Sequence, residues 1–286
     1  MSGASVLFDA PGPRARARNR IATVVTVIVL VAVAGAVLWQ FAEKDQLTAA
    51  KWSPFLTANL WKTYLLPGLQ GTLIAAALSI VAALVLGFLL GIGRLSPHAV
   101  VRWPAAVLVE FFRAVPVLIM MIFSFAIFGA YDLVPSKYQA LAGVVTGLTL
   151  YNGAVIAEII RAGVQSLPSG QAEAASALGM RWGQTMWSVQ LPQAVTAMLP
   201  VLISQMVVVL KDTAIGYQIL YLEVVRQATN VAGAYGNYIP ALIVVAVVLI
   251  AINFGLSAFA TWLERRLRRS RRTPEPVQPH ALEPGD

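Results

Sequence analysis

The sequence has no cysteine, two histidines and few charges, with charged residues making up 12% of its 286 residues. Without cysteine, disulfides, thiol nucleophiles and thiolate metal sites are excluded. His98 and His280 stand apart from each other and suggest no metal cluster, so neither a metal site nor a catalytic residue is predicted. A Gly-x-x-x-x-Gly-Lys-Ser/Thr phosphate loop is also missing, so we do not expect this chain to bind ATP in that manner.

Hydrophobic residues, in contrast, make up 58% of the chain. Uncharged apolar runs of about 18 or more residues are typical of helices that cross a bilayer. They recur here and predict an all-α integral membrane protein with six transmembrane helices, near 21–41, 69–93, 103–131, 138–160, 193–212 and 237–263. The remaining segments are predicted as a cytoplasmic tail (1–20), an external loop (42–68), a cytoplasmic loop (161–192) and a basic cytoplasmic tail (264–286).

The first apolar run is not typical of a cleaved signal peptide, because it ends in Trp39-Gln40-Phe41 without a small-residue cleavage site. Lysine and arginine give the orientation, since excess positive charge stays on the cytoplasmic side. With the N-terminus inside, the inner segments hold 14 such residues and the outer segments hold 5. The pattern therefore predicts a multi-pass protein of a cytoplasmic membrane with both termini in the cytoplasm. The arginine clusters flank apolar runs and lack interleaved aromatics, so no nucleic-acid partner is expected.

The cytoplasmic loop carries a spaced motif. It reads Glu173-Ala174-Ala175, three residues, Gly179, nine residues, Val189, one residue, then Leu191-Pro192. Alanine and glutamate favour a helix, a glycine suits its end, and a proline is tolerated in the first turn of the next helix. The loop is therefore predicted to form a short helix, a turn and a re-entry into the membrane.

This spacing resembles the EAA loop of bacterial ATP-binding cassette (ABC) importer permeases. The resemblance implies a type I ABC importer permease fold over 69–263, with the loop as a coupling helix that sits in a cleft of a cytoplasmic ATPase subunit. It also implies a dimer of such ATPases as the site of ATP binding, a second and homologous permease subunit, and an extracytoplasmic solute-binding protein. An ordinary amphipathic loop helix is the alternative.

Neighbouring segments resemble permeases for polar amino acids of the histidine, glutamine and glutamate type. They are the run from Leu150 to Gln171, the segment Leu210-Lys211-Asp212-Thr213, and Glu110–Leu118, which is similar to that family's Phe-Phe-Arg-Gly-Thr-Pro-Leu-Leu. The likeness is greatest to glutamate permeases of actinobacterial type, so glutamate is the expected substrate. Glutamine, aspartate and basic amino acids are alternatives, as is an ion-driven secondary transporter, although no inverted repeat supports the last.

Charged and polar residues at membrane depth are candidates for the substrate pathway or for gating. Glu110 with Arg113, and Glu158 with Arg161, have the i,i+3 spacing of residues on one helix face, and each pair is either a gating contact or a plain interfacial ion pair.

Lys211 and Asp212 are adjacent and therefore cannot face each other on one helix. They either bind the two charged groups of a zwitterionic substrate or form salt bridges with other helices. Asn152 and Gln205 have the same two readings. Two small-residue spacings, Gly87 with Gly91 and Gly143 with Gly147, permit close helix packing, either within the chain or between subunits.

Overall fold

The computed structural model describes residues 12–269, which are largely helical and contain no β-strand. Helices satisfy their own backbone hydrogen bonds, as a hydrocarbon environment requires. The α-helices are α1 (Pro13–Glu43), α2 (Ala49–Trp52), α3 (Ala58–Leu60), α4 (Leu66–Leu95), α5 (Ala99–Ala114), α6 (Val117–Ala130), α7 (Ser136–Gln165), α8 (Ser169–Ala177), α9 (Trp182–Thr185), α10 (Leu191–Asp212), α11 (Val224–Tyr235) and α12 (Tyr238–Arg269). Of the predicted tails 1–20 and 264–286, residues 1–11 and 270–286 lie outside the described residues, whereas residues 13–20 belong to α1 and residues 264–269 to α12.

Within residues 12–269, five helical segments are long and apolar enough to cross a membrane, and α5 with α6 passes the same test only as a bent pair. The five are Pro13–Glu43, Ala58–Leu95, Ser136–Gln165, Trp182–Ile219 and Tyr238–Phe259. Two of them are composite: a π-turn joins α3 to α4, and another joins α9 to α10, which continues as a 3₁₀ turn. The all-α membrane fold predicted from the sequence is confirmed, with five spans, or six if the bent pair counts as one.

The stretch 103–131, predicted as one span, is broken near its middle. α5 and α6 meet at 102°. Pro116 cannot donate a helical hydrogen bond, and a residue before proline is displaced towards extended conformations. Val115 accordingly has φ −85° and ψ 128°. The prediction of a single helix here is corrected to two helices with a sharp corner.

α7 lies at the centre of the bundle and packs against α4, α6 and α10. The approach of α4 depends on Gly87 and Gly91: a Cβ on Gly87 would lie 2.6 Å from Cγ2 of Ile156 in α7. On another side of α7, Gly143 and Gly147 lie against α6, where a Cβ would meet Phe125 or Met121. Both small-residue spacings therefore serve packing within this chain.

The segment 42–68, predicted as a loop, is mostly helical and packed. Phe55 and Leu60 join a buried apolar cluster with Val231 of α11 and Val245 of α12. Lys51 Nζ also donates a hydrogen bond to the Gly236 carbonyl at 2.5 Å. The span predicted to begin at 69 therefore begins within this packed region, at Ala58. We call this end of the bundle the α11 end and the opposite end the α8 end. In contrast, α1 has no buried residue.

Candidate functional site

The EAA segment forms a helix followed by a tight turn at the α8 end. α7 ends at Gln165, and α8 occupies Ser169–Ala177. After α8, Gly179 has φ +74°, in the left-handed region where glycine carries no Cβ penalty. The chain then passes through α9 and a π-turn into α10, which begins at Leu191 with Pro192 in its first turn.

α8 presents an exposed face. Glu173 and Ala174 are exposed, whereas Ala175 is buried, with 4% of its surface exposed. Leu178, at the end of the helix, is 82% exposed although its side chain is apolar. This face, which includes Glu173, Ala174 and Leu178, is the part of the loop that another protein can reach.

The far end of the same loop is tied to the membrane helices. Leu191 is buried in a cluster that includes Met186, Val164 of α7, Ala194 and Ile160. A cavity of about 380 Å³ separates part of α8 from the ends of α4 and α7. α8 contacts the π-turn Met186–Gln190, and Met186 of that turn belongs to the Leu191 cluster, so a displacement of α8 can reach α7 and α10 through this turn.

Five charged residues meet at the α8 end in one network, which joins the two ion pairs considered from the sequence. Glu158 lies 2.6 Å from Arg94 and 3.8 Å from Arg113, and it forms a short contact with Arg161. Glu110 lies 3.1 Å from Arg94 and 3.9 Å from Arg113. We call this set the charge network; it connects α4, α5 and α7.

Glu158 is the central carboxylate of the charge network, because it contacts all three arginines. Its side chain is 23% exposed, whereas that of Glu110 is 60% exposed. Arg94, which sequence analysis used only for orientation, is the most buried member of the network, with 13% of its side chain exposed. Across residues 12–269, no group of three or more histidine, cysteine, aspartate or glutamate side chains could hold a metal ion.

Asn152 and Gln205 bond to each other between α7 and α10. Gln205 Nε2 donates to Asn152 Oδ1 at 2.7 Å, and Asn152 Nδ2 donates to the Leu148 carbonyl at 2.9 Å. Asn152 is fully buried. The structure therefore supports the reading of these two amides as an interhelical contact, since polar side chains often join helices within a membrane.

Lys211 and Asp212 separate in space, as their adjacency on a helix requires. Lys211 is exposed and lines a cavity of about 380 Å³ between α10 and α12. Asp212 is half-buried and does not line that cavity. Ser257 and Thr261 of α12, which sequence analysis did not select, line it together with Lys211.

Glu223, which precedes α11, was also missed. It is fully buried, and its carboxylate accepts hydrogen bonds from the backbone N–H groups of Val225 at 2.7 Å and Arg226 at 2.5 Å. Burial raises the pKa of Glu223 to about 7, although these hydrogen bonds and the charge of Arg226 oppose the shift. The available signal was an acidic residue just before an amphipathic helix, which is typical of an N-cap.

Residues 83–269 match the model of a protein family described as the binding-protein-dependent transport system inner membrane component. The chain belongs to this family of transport permeases. The match contains the EAA segment, the charge network and the Lys211 cavity, but not α1. The chain is therefore a multi-pass membrane protein and a transport subunit, as predicted.

Curated relatives of this permease are named for amino-acid transport. It is 57% identical over 226 residues to the glutamate transport system permease protein GluD of Corynebacterium glutamicum, covering 79% of this chain and 83% of that protein. It is 32% identical over 208 residues to the glutamate/aspartate import permease protein GltK of Escherichia coli O157:H7, covering 71% and 93%. The resemblance to polar amino acid permeases is thus confirmed.

A solved structure agrees with the fold. A crystal structure of an amino acid ABC transporter with histidines matches with a TM-score of 0.67 and 28% identity, covering 74% of this chain and 98% of that one. The predicted ABC importer permease fold is confirmed by this match. A MetNI methionine ABC transporter in an inward-facing conformation matches with a TM-score of 0.58 at 18% identity and supports the fold alone.

Proposed function

We propose that this permease is a subunit of an ABC importer that carries glutamate across the cytoplasmic membrane, with ATP hydrolysed by partner subunits. The observation that carries the proposal is the complete EAA pattern, which runs from the exposed helix α8 to the start of α10, where Leu191 is buried in the membrane bundle. Relatives named for glutamate transport, one of them 57% identical, support this substrate. Glutamine, aspartate and basic amino acids are the alternatives that a transport assay separates.

The α8 end faces the cytoplasm in this proposal. The uneven distribution of lysine and arginine supports that orientation, because Arg94, Arg102, Arg161 and Arg181 all belong to that end. An ATPase dimer then binds below the membrane, and a solute-binding protein delivers substrate to the α11 end. Since one chain supplies one EAA loop, a second and homologous permease subunit completes the transporter.

ATPase closure acts on the exposed face of α8. Glu173, Ala174 and Leu178 are among the exposed residues that a cleft in the ATPase can contact, whereas Ala175 is buried. Movement of α8 passes to α10 through the π-turn Met186–Gln190, which contacts α8 and contributes Met186 to the buried Leu191 cluster.

In this proposal, the charge network serves as a gate contact at the same end of the bundle as α8. It holds α4, α5 and α7 together at the α8 end through partly exposed ion pairs. Ion pairs of this kind are individually modest in energy, so they can break and re-form during a transport cycle. Glu110, Arg113, Glu158 and Arg161 therefore have a gating role in the proposal rather than a role in binding substrate.

The transport proposal is tested with the complete importer in proteoliposomes that contain ATP, with ionophores collapsing ion gradients. We expect uptake of radiolabelled glutamate that needs this chain and is displaced by unlabelled glutamate. Preferential displacement by glutamine, aspartate or a basic amino acid would keep the mechanism and change the substrate. Uptake that stops when the gradients collapse would refute the ABC mechanism.

Coupling is tested separately with Glu173→Arg, which reverses a charge on the exposed face of α8. We expect it to abolish both uptake and substrate-stimulated ATP hydrolysis while the protein still inserts. Glu43→Arg is the matched control, because Glu43 is exposed at the end of α1 and belongs to the opposite end of the bundle. Normal stimulation in the Glu173→Arg importer would exclude α8 as the coupling helix.

A further inference from the structure

The cavity between α10 and α12 combines a cation with hydroxyl groups. α10 contributes Pro200, Ser204 and Lys211 to its wall, spaced so that they share one helix face, and α12 contributes Ser257 and Thr261. The volume is about 380 Å³. A cavity of this size falls in the range of small-molecule sites.

The Lys211 side of the cavity lies at membrane depth. Gln205 of α10 bonds to Asn152, which lies near the middle of α7 (Ser136–Gln165), so Gln205 is close to mid-membrane. Lys211 follows six residues later, a distance of about 9 Å along the helix at 1.5 Å per residue. Half of the hydrocarbon layer is about 15 Å thick, so Lys211 lies within it.

A lysine at this depth requires a partner or a wet cavity. Within residues 12–269, Lys211 forms no ion pair. Its neighbour Asp212 does not line the cavity and interacts with Lys211 electrostatically without forming an ion pair. The ammonium group is therefore available to an anion that enters from the cavity.

The hydrogen bonds within the helices determine which cavity hydroxyl groups can donate to a ligand and which can accept from it. Ser204 Oγ lies 2.9 Å from the Pro200 carbonyl and must donate its proton there, and Thr261 Oγ1 does the same at 2.9 Å from the Ser257 carbonyl. Both oxygens then keep lone pairs that accept from an ammonium group. Lys211 and the Ser257 hydroxyl are the donors that remain for a carboxylate.

We infer that this cavity is a substrate subsite in which Lys211 binds a carboxylate of the transported amino acid. Ser204, Ser257 and Thr261 supply hydroxyl groups along the same cavity for the other polar groups of the substrate. The inference rests on the proposed function, since it assigns residues to the substrate of that importer. The headgroup of a net-anionic lipid and an acidic residue of the second permease subunit are the competing ligands for the same cation.

The test compares Lys211→Met with Lys62→Met in the complete importer, because Lys62 is also exposed but does not line this cavity. Initial rates of ATP-driven glutamate uptake give KM for each variant. We expect Lys211→Met to raise KM by roughly tenfold to hundredfold, as for the loss of a hydrogen bond to a charged group, and Lys62→Met to leave it unchanged. Lys211→Arg keeps the charge and should restore most of the affinity.

Failure of this inference is distinguishable from failure of the transport proposal. If the wild-type importer carries glutamate but Lys211→Met keeps the wild-type KM, import stands and the subsite is refuted. Loss of the KM effect in vesicles of net-neutral phosphatidylcholine alone, which lack net-anionic headgroups, would assign Lys211 to an anionic lipid instead. Loss of the second permease subunit during purification would assign it to subunit assembly instead.

A second variant covers the case in which Lys211→Met does not accumulate in the membrane. Ser257→Ala removes one hydroxyl from an exposed position and leaves the backbone contact to Thr261 intact. We expect a severalfold rise in KM for glutamate. An unchanged KM in this variant would also overturn the assignment.

Discussion

Replacing Glu158 with glutamine tests whether the charge network holds α4, α5 and α7 together. Glutamine keeps the size of the side chain and one acceptor oxygen but removes the charge that faces three arginines. Glu110 would remain the only carboxylate in the network, and its side chain is 60% exposed. Arg94, at 13% exposure, would lose its 2.6 Å partner and is the arginine least able to regain hydration.

The expected loss of stability can be worked out from these contacts. A hydrogen bond to a charged group contributes about 1.5–3 kcal/mol, and Glu158 makes such bonds to Arg94 and Arg161. Breaking a fully buried ion pair costs about 3–5 kcal/mol, but the 23% exposure of Glu158 allows screening by water. We therefore expect a loss of about 2 kcal/mol. For a chain of this size, that corresponds to a fall in Tm of about 4–8 °C.

The assay is thermal unfolding of the purified permease in detergent, followed by tryptophan fluorescence. Glu43→Gln is the control, because it makes the same chemical change at an exposed position on α1. A double-mutant cycle with Arg94→Gln isolates the pair energy. Equal Tm values for Glu158→Gln and Glu43→Gln, or strictly additive effects in the cycle, would contradict the reasoning.

Three further predictions concern packing, interhelical bonding and pH. Gly87→Ala places a Cβ 2.6 Å from Ile156 and should lower the free energy of unfolding by about 1–3 kcal/mol. Gly35→Ala is the control and should cause no loss, because nothing lies within 4 Å of its added Cβ. Equal effects of the two substitutions would refute the close approach of α4 to α7. Asn152→Leu breaks the bond between α7 and α10 and should lower stability by about 0.6–1.7 kcal/mol, and no loss would show that the bond is energetically neutral. Because the pKa of Glu223 rises from 4.5 to about 7, the folded state binds the proton more tightly: this stability is full below pH 4.5 and is lost as pH rises through 7, by about 3 kcal/mol at most. Tm should fall between pH 5 and 8, and Glu223→Gln should flatten that slope; parallel wild-type and variant profiles would exclude Glu223 as the titrating group.

Hydropathy predicted the membrane helices well because lipid imposes a requirement that every span must satisfy locally. Hydropathy gave wrong predictions where a local backbone signal or a distant packing partner determines the structure. The corner at Val115 and Pro116 had a local signal in the proline, but the surrounding apolar run concealed it. The helices in 42–68 had only a weak signal, because their order depends on distant partners such as Val231.

The candidate sites also differ in whether their residues could be predicted from local sequence features. The EAA loop could be placed from sequence because its helix, turn and proline are local features. The two i,i+3 ion pairs were visible, but their union into one network was not, since Arg94 joins them from another helix. Ser257 and Thr261 carried no signal, because a serine and a threonine in an apolar helix gain meaning only beside Lys211.

α10 connects the two sites for which we propose functions. It begins in the buried Leu191 cluster beside α8, bonds to α7 through Gln205, and carries Lys211 into the cavity. The distance from Leu191 to Lys211 is about 30 Å along the helix. Pro200 lies inside this helix and on the cavity wall, and an internal proline removes one helical hydrogen bond, so α10 is weakest between its two functional ends. A movement that enters at Leu191 therefore changes the cavity most directly by bending α10 at Pro200, while the Asn152–Gln205 bond restrains the helix beyond that point.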